Sequence, residues 1–326
     1  MTLRRLGSTG LSIGPLGLGS VNFSWLTDEP DSFAILDAAF ERGVNLLDTS
    51  DNYNAGQTES LIGRWLGQGG GRREKMVLAT KVYSAPMEWG SPDPAKRTGS
   101  WIGPNQKGLS AKHIREACEA SLKRLNTDYI DLYQMHHVDR NVRWEEIWQA
   151  MEVLVAQGKV LYVGSSNFAG WHIAQAQESA RRRHFLGLAS EQSVYNLMKR
   201  TVELEVLPAC AAYGMAFLPY SPLAAGALGG KPKENEPGRR AFARQNDAVD
   251  AFDALCATLG HAPADVALAW LASRPGVTAP IVGPRTLAQL EGCLAALDIS
   301  LTPDTLTELD RIFPGPGGPA PEAYAW

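Results

Sequence analysis

Short, mostly apolar segments alternate with longer amphipathic ones along nearly the whole chain. Continuous short apolar runs are typical of parallel strands that are buried on both faces of a sheet. The predicted strands cover residues 15–20, 44–48, 77–81, 129–134, 160–165, 188–192, 215–220 and 280–283. Strands that alternate with helices in this way indicate either a closed (β/α)8 barrel or an open doubly wound sheet.

The segments between the strands carry the helical spacing of apolar residues, with start and stop signals. Ser110 is a good N-cap for a helix whose apolar positions recur every three to four residues. A second helix is predicted over residues 144–155, with Gly158 where a C-terminal glycine is expected. Further helix starts are predicted at Thr286 and at Thr302 with Pro303.

Four segments depart from this alternation. Residues 3–14 predict a short hairpin, so residues 1–14 form an N-terminal β-hairpin. Residues 84–108 and 224–240 are long and rich in Pro and Gly, which is typical of lids and binding loops. Residues 314–326 form a C-terminal tail. We expect the whole chain, 1–326, to be one domain, since barrels of this kind need about 250 residues or more.

Polar residues lie at the C-terminal end of every predicted strand. In chain order they are Ser20 and Asn22, Asp48, Lys81, His136, Ser165 to Asn167, Gln192, Tyr220 and Ser221, and Gly283 to Arg285. In a (β/α)8 barrel the C-terminal ends of the strands meet on the face that holds the active site. This pattern predicts a catalytic site on that face, with long loops above it.

Composition narrows the class of protein. A net charge of −4 argues against binding to nucleic acid, and no segment is long and apolar enough to predict a membrane span. The four cysteines are widely spaced, so neither a disulfide framework nor a metal site is predicted. The first twenty residues lack the apolar core of a signal peptide, and we expect a cytoplasmic protein.

The residue types at the strand ends suit one kind of chemistry. A lysine beside Asp48 is expected to stay charged, and such a cation should lower the pKa of Tyr53 towards neutrality. A phenol of that kind is a usable general acid, and a neutral histidine can orient a carbonyl oxygen by hydrogen bonding. Together these groups would stabilise an oxygen that gains negative charge. No Ser or Cys is evidently paired with a base, so no covalent nucleophile is predicted.

The motifs themselves resemble a known family. LLDTSDNYNAGQTESLIG, at residues 46–63, is similar to the signature of the aldo-keto reductases, with Asp48 and Tyr53 at the family's spacing. Lys81 in LATK and His136 in DLYQMHH complete its tetrad. VGSSNF, EQSVYN, PYSPLAAG and PIVGPRT follow in the family's order. The resemblance implies a closed barrel and reduction of a carbonyl with a nicotinamide cofactor.

The resemblance also implies a role for each position of the tetrad. Tyr53 would be the proton donor, Lys81 would lower its pKa, and Asp48 would pair with Lys81. His136 would position the substrate carbonyl.

For the cofactor, the resemblance implies contacts along its whole length. Ser166, Asn167 and Gln192 would hold the nicotinamide carboxamide, and Tyr220 would stack on the ring. Arg285 favours NADP over NAD as the cofactor, because a guanidinium matches a phosphate well. Ser20 is a further predicted cofactor contact. Ser221, Leu223 and Gly226 would lie along the pyrophosphate, and Gly283 and Gln289 would approach the adenosine 2′-phosphate.

The expected substrate is a small carbonyl compound. Its predicted contacts are Asn22, Trp25, Trp89, Trp101 and His137. The segments MHHVDR and GWHIAQAQESARRR are similar in sequence to the corresponding segments of reductases of nucleotide-linked keto-deoxysugars. Three positions depart from the family's usual pattern: Asn54 stands where glycine is usual, His137 where tryptophan is frequent, and Gly292–Cys293 where adenine-contacting residues are frequent.

Two alternatives to a sugar reductase stay open. One is a reductase of small aldehydes or ketones. The other is a cofactor-binding regulatory subunit of the same fold, similar to potassium-channel β subunits. The fold alone does not separate these alternatives.

Overall fold

The computed structural model describes residues 2–100, 102–230 and 247–325. Two strands, β1 and β2, form an antiparallel hairpin, and eight more form one parallel sheet. The strands are β1 (Arg4–Arg5), β2 (Ser12–Ile13), β3 (Gly17–Gly19), β4 (Leu46–Asp48), β5 (Val77–Val82), β6 (Ile130–Met135), β7 (Val160–Ser166), β8 (Leu188–Gln192), β9 (Ala216–Phe217) and β10 (Ile281–Val282).

The parallel sheet closes on itself. β3 to β9 pair in chain order, and β10 pairs with β3 at the other edge. Two hydrogen bonds join the last pair of strands: Thr278 N–H donates to Phe217 O at 2.9 Å, and Ile281 N–H donates to Pro219 O at 2.8 Å. The predicted (β/α)8 barrel is therefore confirmed, and the open sheet is excluded.

Helices follow the strands as the apolar spacing predicts, and the three predicted N-cap residues cap their helices with their side chains. Ser110 Oγ accepts from His113 N–H, Thr286 Oγ1 from Gln289 N–H, and Thr302 Oγ1 from Thr305 N–H. The helices are α1 (Glu29–Glu41), α2 (Gln57–Leu66), α3 (Arg72–Lys75), α4 (Pro94–Thr98), α5 (Ala111–Leu125), α6 (Trp144–Ala156), α7 (Gly170–Arg182), α8 (Val206–Tyr213), α9 (Asp247–Leu259), α10 (Pro263–Ser273), α11 (Leu287–Ala295), α12 (Pro303–Ile312) and α13 (Glu322–Ala325).

The hairpin closes the end of the barrel opposite the predicted site. Leu6 and Ile13 are fully buried in an apolar cluster with residues from the starts of the barrel strands, such as Leu46 and Val77. Ser8 N–H donates to Gly214 O at 2.7 Å, which fixes the turn against the segment before β9. With one end covered, the other end is left for the polar residues.

Two of the predicted irregular segments contain helix. Residues 84–108 include α4, because Asp93 caps the Ala95 N–H and Pro94 takes the first helical position. The tail includes α13, and Ala320 N–H donates to Leu204 O at 2.8 Å. Residues 231–246 of the second loop lie outside the described residues.

The apolar helices pack inside the fold. In the described part of the chain no single helix is long and apolar enough to cross a membrane, and only α9 with α10, bent at 93°, passes that test as a pair. Both helices contribute fully buried residues to the core, among them Phe252 and Trp270.

Candidate active site

Three strands and one turn bring the predicted tetrad together. Asp48 ends β4, Lys81 lies in β5, His136 follows β6, and Tyr53 begins a 3-10 turn at Tyr53–Gly56. The ammonium of the fully buried Lys81 donates to Asp48 Oδ2 at 2.7 Å and to Tyr53 Oη at 3.3 Å. The rings of Tyr53 and His136 meet edge to face, with centroids 6.0 Å apart.

Asp48 is held by more than its lysine. Its Oδ1 accepts from Gln192 Nε2 at 2.8 Å and from Gln134 Nε2 at 3.2 Å. A carboxylate with these donors keeps one oxygen facing Lys81. Gln192, predicted to hold the nicotinamide carboxamide, thus gives its amide N–H to the tetrad in this structure.

Lys81 and Tyr53 differ in how far their neighbours offset the effect of burial on the pKa. Burial lowers the pKa of Lys81, but Asp48 and the Tyr53 oxygen more than offset this, so its pKa is raised. Burial raises the pKa of Tyr53, and the neighbouring Lys81 offsets only part of that shift. The expected net fall in the pKa of Tyr53 is therefore wrong, because the phenolate loses more hydration than one shared cation restores.

His136 is neutral, as expected. Burial, together with the positive charge of Lys81 and the nearby His137, lowers the pKa of His136 to about 3. Its Nδ1 lies 3.1 Å from the Ser50 hydroxyl. Either ring nitrogen of a neutral imidazole can carry the proton, and the tautomer that is protonated on Nε2 can donate to another oxygen from that side.

A second cluster surrounds the predicted carboxamide contacts. Asn167 adopts a positive φ of 60°, its Nδ2 donates to His136 O at 3.2 Å and Ser166 Oγ at 3.0 Å, and its Oδ1 accepts from Tyr220 at 2.9 Å. The buried Glu191 accepts from Phe168 N–H at 3.1 Å and from the hydroxyls of Ser165 and Ser193. Burial raises the pKa of Glu191 to about 7, despite these hydrogen bonds. These hydrogen bonds of Asn167 and Phe168 hold the loop after β7 in place.

The predicted phosphate contacts lie in the segments that follow β9 and β10. Ser221 has a positive φ of 57° and its Oγ accepts from Ala225 N–H, so the turn that carries Leu223 and Gly226 folds back on itself. Gly283 is exposed after β10, and its carbonyl accepts from Asn22 at 2.8 Å. Ser20 is fully buried, with its hydroxyl on Asp48 O.

Arg285 and Gln289 stand at the start of α11. Gln289 Oε1 accepts from Arg285 N–H at 2.7 Å, which ties the two residues together. The Arg285 side chain is half-buried and has no acidic partner among the described residues. A helix N-terminus with an adjacent unpaired guanidinium fits a phosphate group.

The predicted substrate contacts divide into two walls. Trp25 and Trp89 are in contact, with ring centroids 5.2 Å apart, and Trp89 lies 6.0 Å from the Tyr53 ring. On another side His137 packs against Tyr83 at 5.4 Å, and its Nδ1 lies 3.0 Å from Val138 O. Trp101 lies outside the described residues.

Four residues that matter here were not predicted from the sequence: Ser50, Gln134, Glu191 and Tyr83. Gln134 could have been found, because it precedes His136 by two positions and points to the same side of β6. Glu191 directly precedes Gln192 in a short strand that is buried throughout, where a carboxylate is unusual enough to mark a site. Nothing in the sequence distinguishes Ser50 from the other small polar residues around it.

Comparisons with known proteins agree with this geometry. The family described as "Aldo/keto reductase family" matches residues 15–313. A protein named "Uncharacterized oxidoreductase YrpG" from Bacillus subtilis is 50% identical, over 98% of this chain and 98% of its own length. "Versiconal hemiacetal acetate reductase" of Aspergillus parasiticus is 32% identical over 96% of this chain and 97% of its own. A "Probable voltage-gated potassium channel subunit beta" of rice, Oryza sativa subsp. japonica, is 33% identical over 96% of both chains.

Proposed function

The chain belongs to the aldo/keto reductase family and is an NAD(P)H-dependent oxidoreductase. From this premise we propose that it reduces an aldehyde or ketone with NADPH and that Tyr53 is the proton donor. The observation that carries the proposal is the contact of the Lys81 ammonium with both Asp48 and the Tyr53 hydroxyl. When bound, the reduced nicotinamide supplies the hydride that reaches the carbonyl carbon.

The side chains then handle the oxygen. The neutral His136, in the tautomer with its proton on Nε2, would donate to the carbonyl oxygen and orient it towards Tyr53. As negative charge develops on that oxygen, Tyr53 gives it a proton and becomes a phenolate. Lys81 stabilises the phenolate, and Asp48 keeps Lys81 in place.

We propose NADPH rather than NADH as the cofactor because of Arg285. Its guanidinium is free of acidic partners in the described chain and stands where the N-terminus of α11 also favours an anion. Gly283, Gln289, Ser221, Leu223 and Gly226 would line the rest of the phosphate path, and Ser166, Asn167, Gln192 and Tyr220 the nicotinamide end.

Replacing Arg285 by alanine tests this choice of cofactor. Arg285→Ala should raise the Kd for NADPH by roughly ten-fold or more, the effect of losing charge-assisted hydrogen bonds, and leave the Kd for NADH nearly unchanged. Fluorescence titration of both cofactors measures the two constants. Arg42→Ala is the matched control, because it removes an exposed arginine that pairs with Glu291 of α11. Equal effects on both cofactors would remove the phosphate role.

For the substrate, we propose a keto-deoxysugar nucleotide. The supporting observations are the local resemblance of MHHVDR and GWHIAQAQESARRR to such reductases, and the polar His137 at the substrate side. Steady-state NADPH oxidation with a keto-deoxysugar nucleotide, nitrobenzaldehyde and short aldehydes measures the preference. A higher kcat/KM for the simple aldehydes would replace the sugar by a small carbonyl substrate.

The similarity to a channel β subunit favours a second candidate, a cofactor-binding regulatory role. The contacts among Asp48, Tyr53 and Lys81 favour turnover instead. The same assays separate the two, because a purely regulatory protein would bind NADPH and oxidise it with none of the carbonyls.

A further inference from the structure

Asn54 follows the catalytic candidate Tyr53 and occupies a strained turn. Its backbone is left-handed, with φ 46° and ψ 48°, and Ala55 repeats this conformation with φ 53°. Left-handed backbone costs most residues about 1–2 kcal/mol each, although asparagine tolerates it better than others. Such a turn persists only when its surroundings fix it. At Asn54 those surroundings are hydrogen bonds made by its own side chain.

The amide of Asn54 joins two separate loops. Its Oδ1 accepts from Trp89 N–H at 3.1 Å, in the segment after β5. Its Nδ2 donates to Ser24 O at 2.8 Å and Ser24 Oγ at 3.2 Å, in the segment after β3. A backbone N–H only donates and a carbonyl only accepts, so the two partners fix the orientation of the amide. The side chain is 4% exposed, which shields these bonds from water.

The two loops carry the tryptophans of the substrate wall. Trp25 directly follows Ser24, and its ring contacts that of Trp89 at 5.2 Å. Trp89 in turn lies 6.0 Å from Tyr53, at an interplanar angle of 37°. One buried amide therefore ties both tryptophan-bearing loops to the turn that begins at Tyr53. Glycine would permit the same turn but would remove the side-chain hydrogen bonds that join the two loops.

We propose that Asn54 is a positioning residue that holds Trp25 and Trp89 together as an aromatic wall beside Tyr53, and that this wall selects substrates whose carbonyl lies in or next to a ring with an apolar face. The inference rests on the proposed reductase function for its substrate, but the link between the loops does not depend on turnover. A ring with an apolar face stacks on an indole, whereas a short aliphatic carbonyl reaches the oxygen site without touching the wall.

Two substitutions separate the two halves of the link. Asn54→Gly keeps the left-handed backbone and removes every side-chain bond. Asn54→Asp keeps the acceptor for Trp89 N–H, but places a carboxylate oxygen against the Ser24 carbonyl. Asn126→Gly is the matched control, because Asn126 has a similar φ of 52° at the exposed end of α5, away from the wall.

Hydrogen exchange and kinetics read out the result. In Asn54→Gly, the amides of Trp89 and of residues 22–27 should exchange faster, and the ratio of kcat/KM for nitrobenzaldehyde to that for propanal should fall roughly five-fold, the effect of about one hydrogen bond. In Asn54→Asp, Trp89 should stay protected while residues 22–27 exchange faster. Asn126→Gly should leave both readouts at the parent values.

Unchanged exchange at Trp89 and residues 22–27 in Asn54→Gly would overturn the proposal. So would an equal loss with both aldehydes, which would mean that Asn54 acts on Tyr53 itself rather than on the wall. If Asn54→Gly fails to fold, the divided exchange pattern of Asn54→Asp still decides. If the parent protein reduces no carbonyl at all, the proposed function fails, whereas the exchange data still test the link.

Discussion

Lys81 is fully buried, and its ammonium contacts both a carboxylate and a phenol. The sequence predicts all four tetrad residues, because their types and spacing resemble a known signature, and the structure brings the four side chains close together. The sequence was not sufficient for the direction of the pKa shift at Tyr53. That direction depends on how much hydration the phenolate loses relative to the charge of Lys81, and only coordinates show this balance.

Glu191 gives the site a pH-dependent contribution to stability. Burial raises the pKa of Glu191 from 4.5 to about 7 in the folded protein. The unfolded chain therefore loses this proton first as pH rises, and stability falls between those two values and then levels off. Glutamine has no proton to lose and can still accept from Phe168 N–H.

Glu191→Gln should therefore become more stable relative to the parent as pH rises through that window. Thermal unfolding of the variant and the parent at about pH 5 and about pH 8, near the two ends of that window, measures how the difference between their Tm values changes with pH. Glu178→Gln, at an exposed position of α7, controls for the substitution itself. A difference in Tm that is the same at both pH values would contradict the assignment of a raised pKa to Glu191.

Among the elements, helix starts were predicted better than strand ends. Ser110, Thr286 and Thr302 cap their helices as expected, because a cap needs only local contacts. The strands predicted over 215–220 and 280–283 are only two residues long in the structure, as β9 and β10. Pro219 and Pro280 lie beside these short strands, and a proline has no N–H to donate to a neighbouring strand.

α2 and α5 pack closely at one glycine. A Cβ at Gly63 would lie 2.2 Å from Arg124 O, a backbone atom that cannot move aside. Gly63→Ala should therefore lower the free energy of unfolding by about 1–3 kcal/mol, although alanine favours helix.

Urea unfolding measures this change, with Gly292→Ala as the matched control. Gly292 is also in a helix, and a Cβ there would meet only an ordinary contact at 3.6 Å. We expect the control to be as stable as the parent or slightly more so. A stabilised Gly63→Ala would show that α2 and α5 are not packed as described.

At the scale of the whole molecule, barrel closure explains how residues far apart in the chain come to share one site. β4, β5 and β6 are neighbours in the sheet, so Asp48, Lys81 and His136 meet at the same end of the barrel. The polar strand ends predicted this arrangement before any side-chain contact was known. The loops above the site were not predictable in the same way, since contacts such as those of Asn54 join segments with no shared sequence pattern.

The central claim is that the barrel brings these residues around one substrate oxygen, with Tyr53 giving it a proton. The most direct test compares Tyr53→Phe with the parent protein. It measures the single-turnover rate at which each oxidises bound NADPH in the presence of a carbonyl compound that the parent reduces. The account predicts that the variant binds NADPH with nearly the parent Kd and loses roughly 10²–10⁴ in rate, the usual worth of a general acid. A variant that turns over at the parent rate would contradict the account.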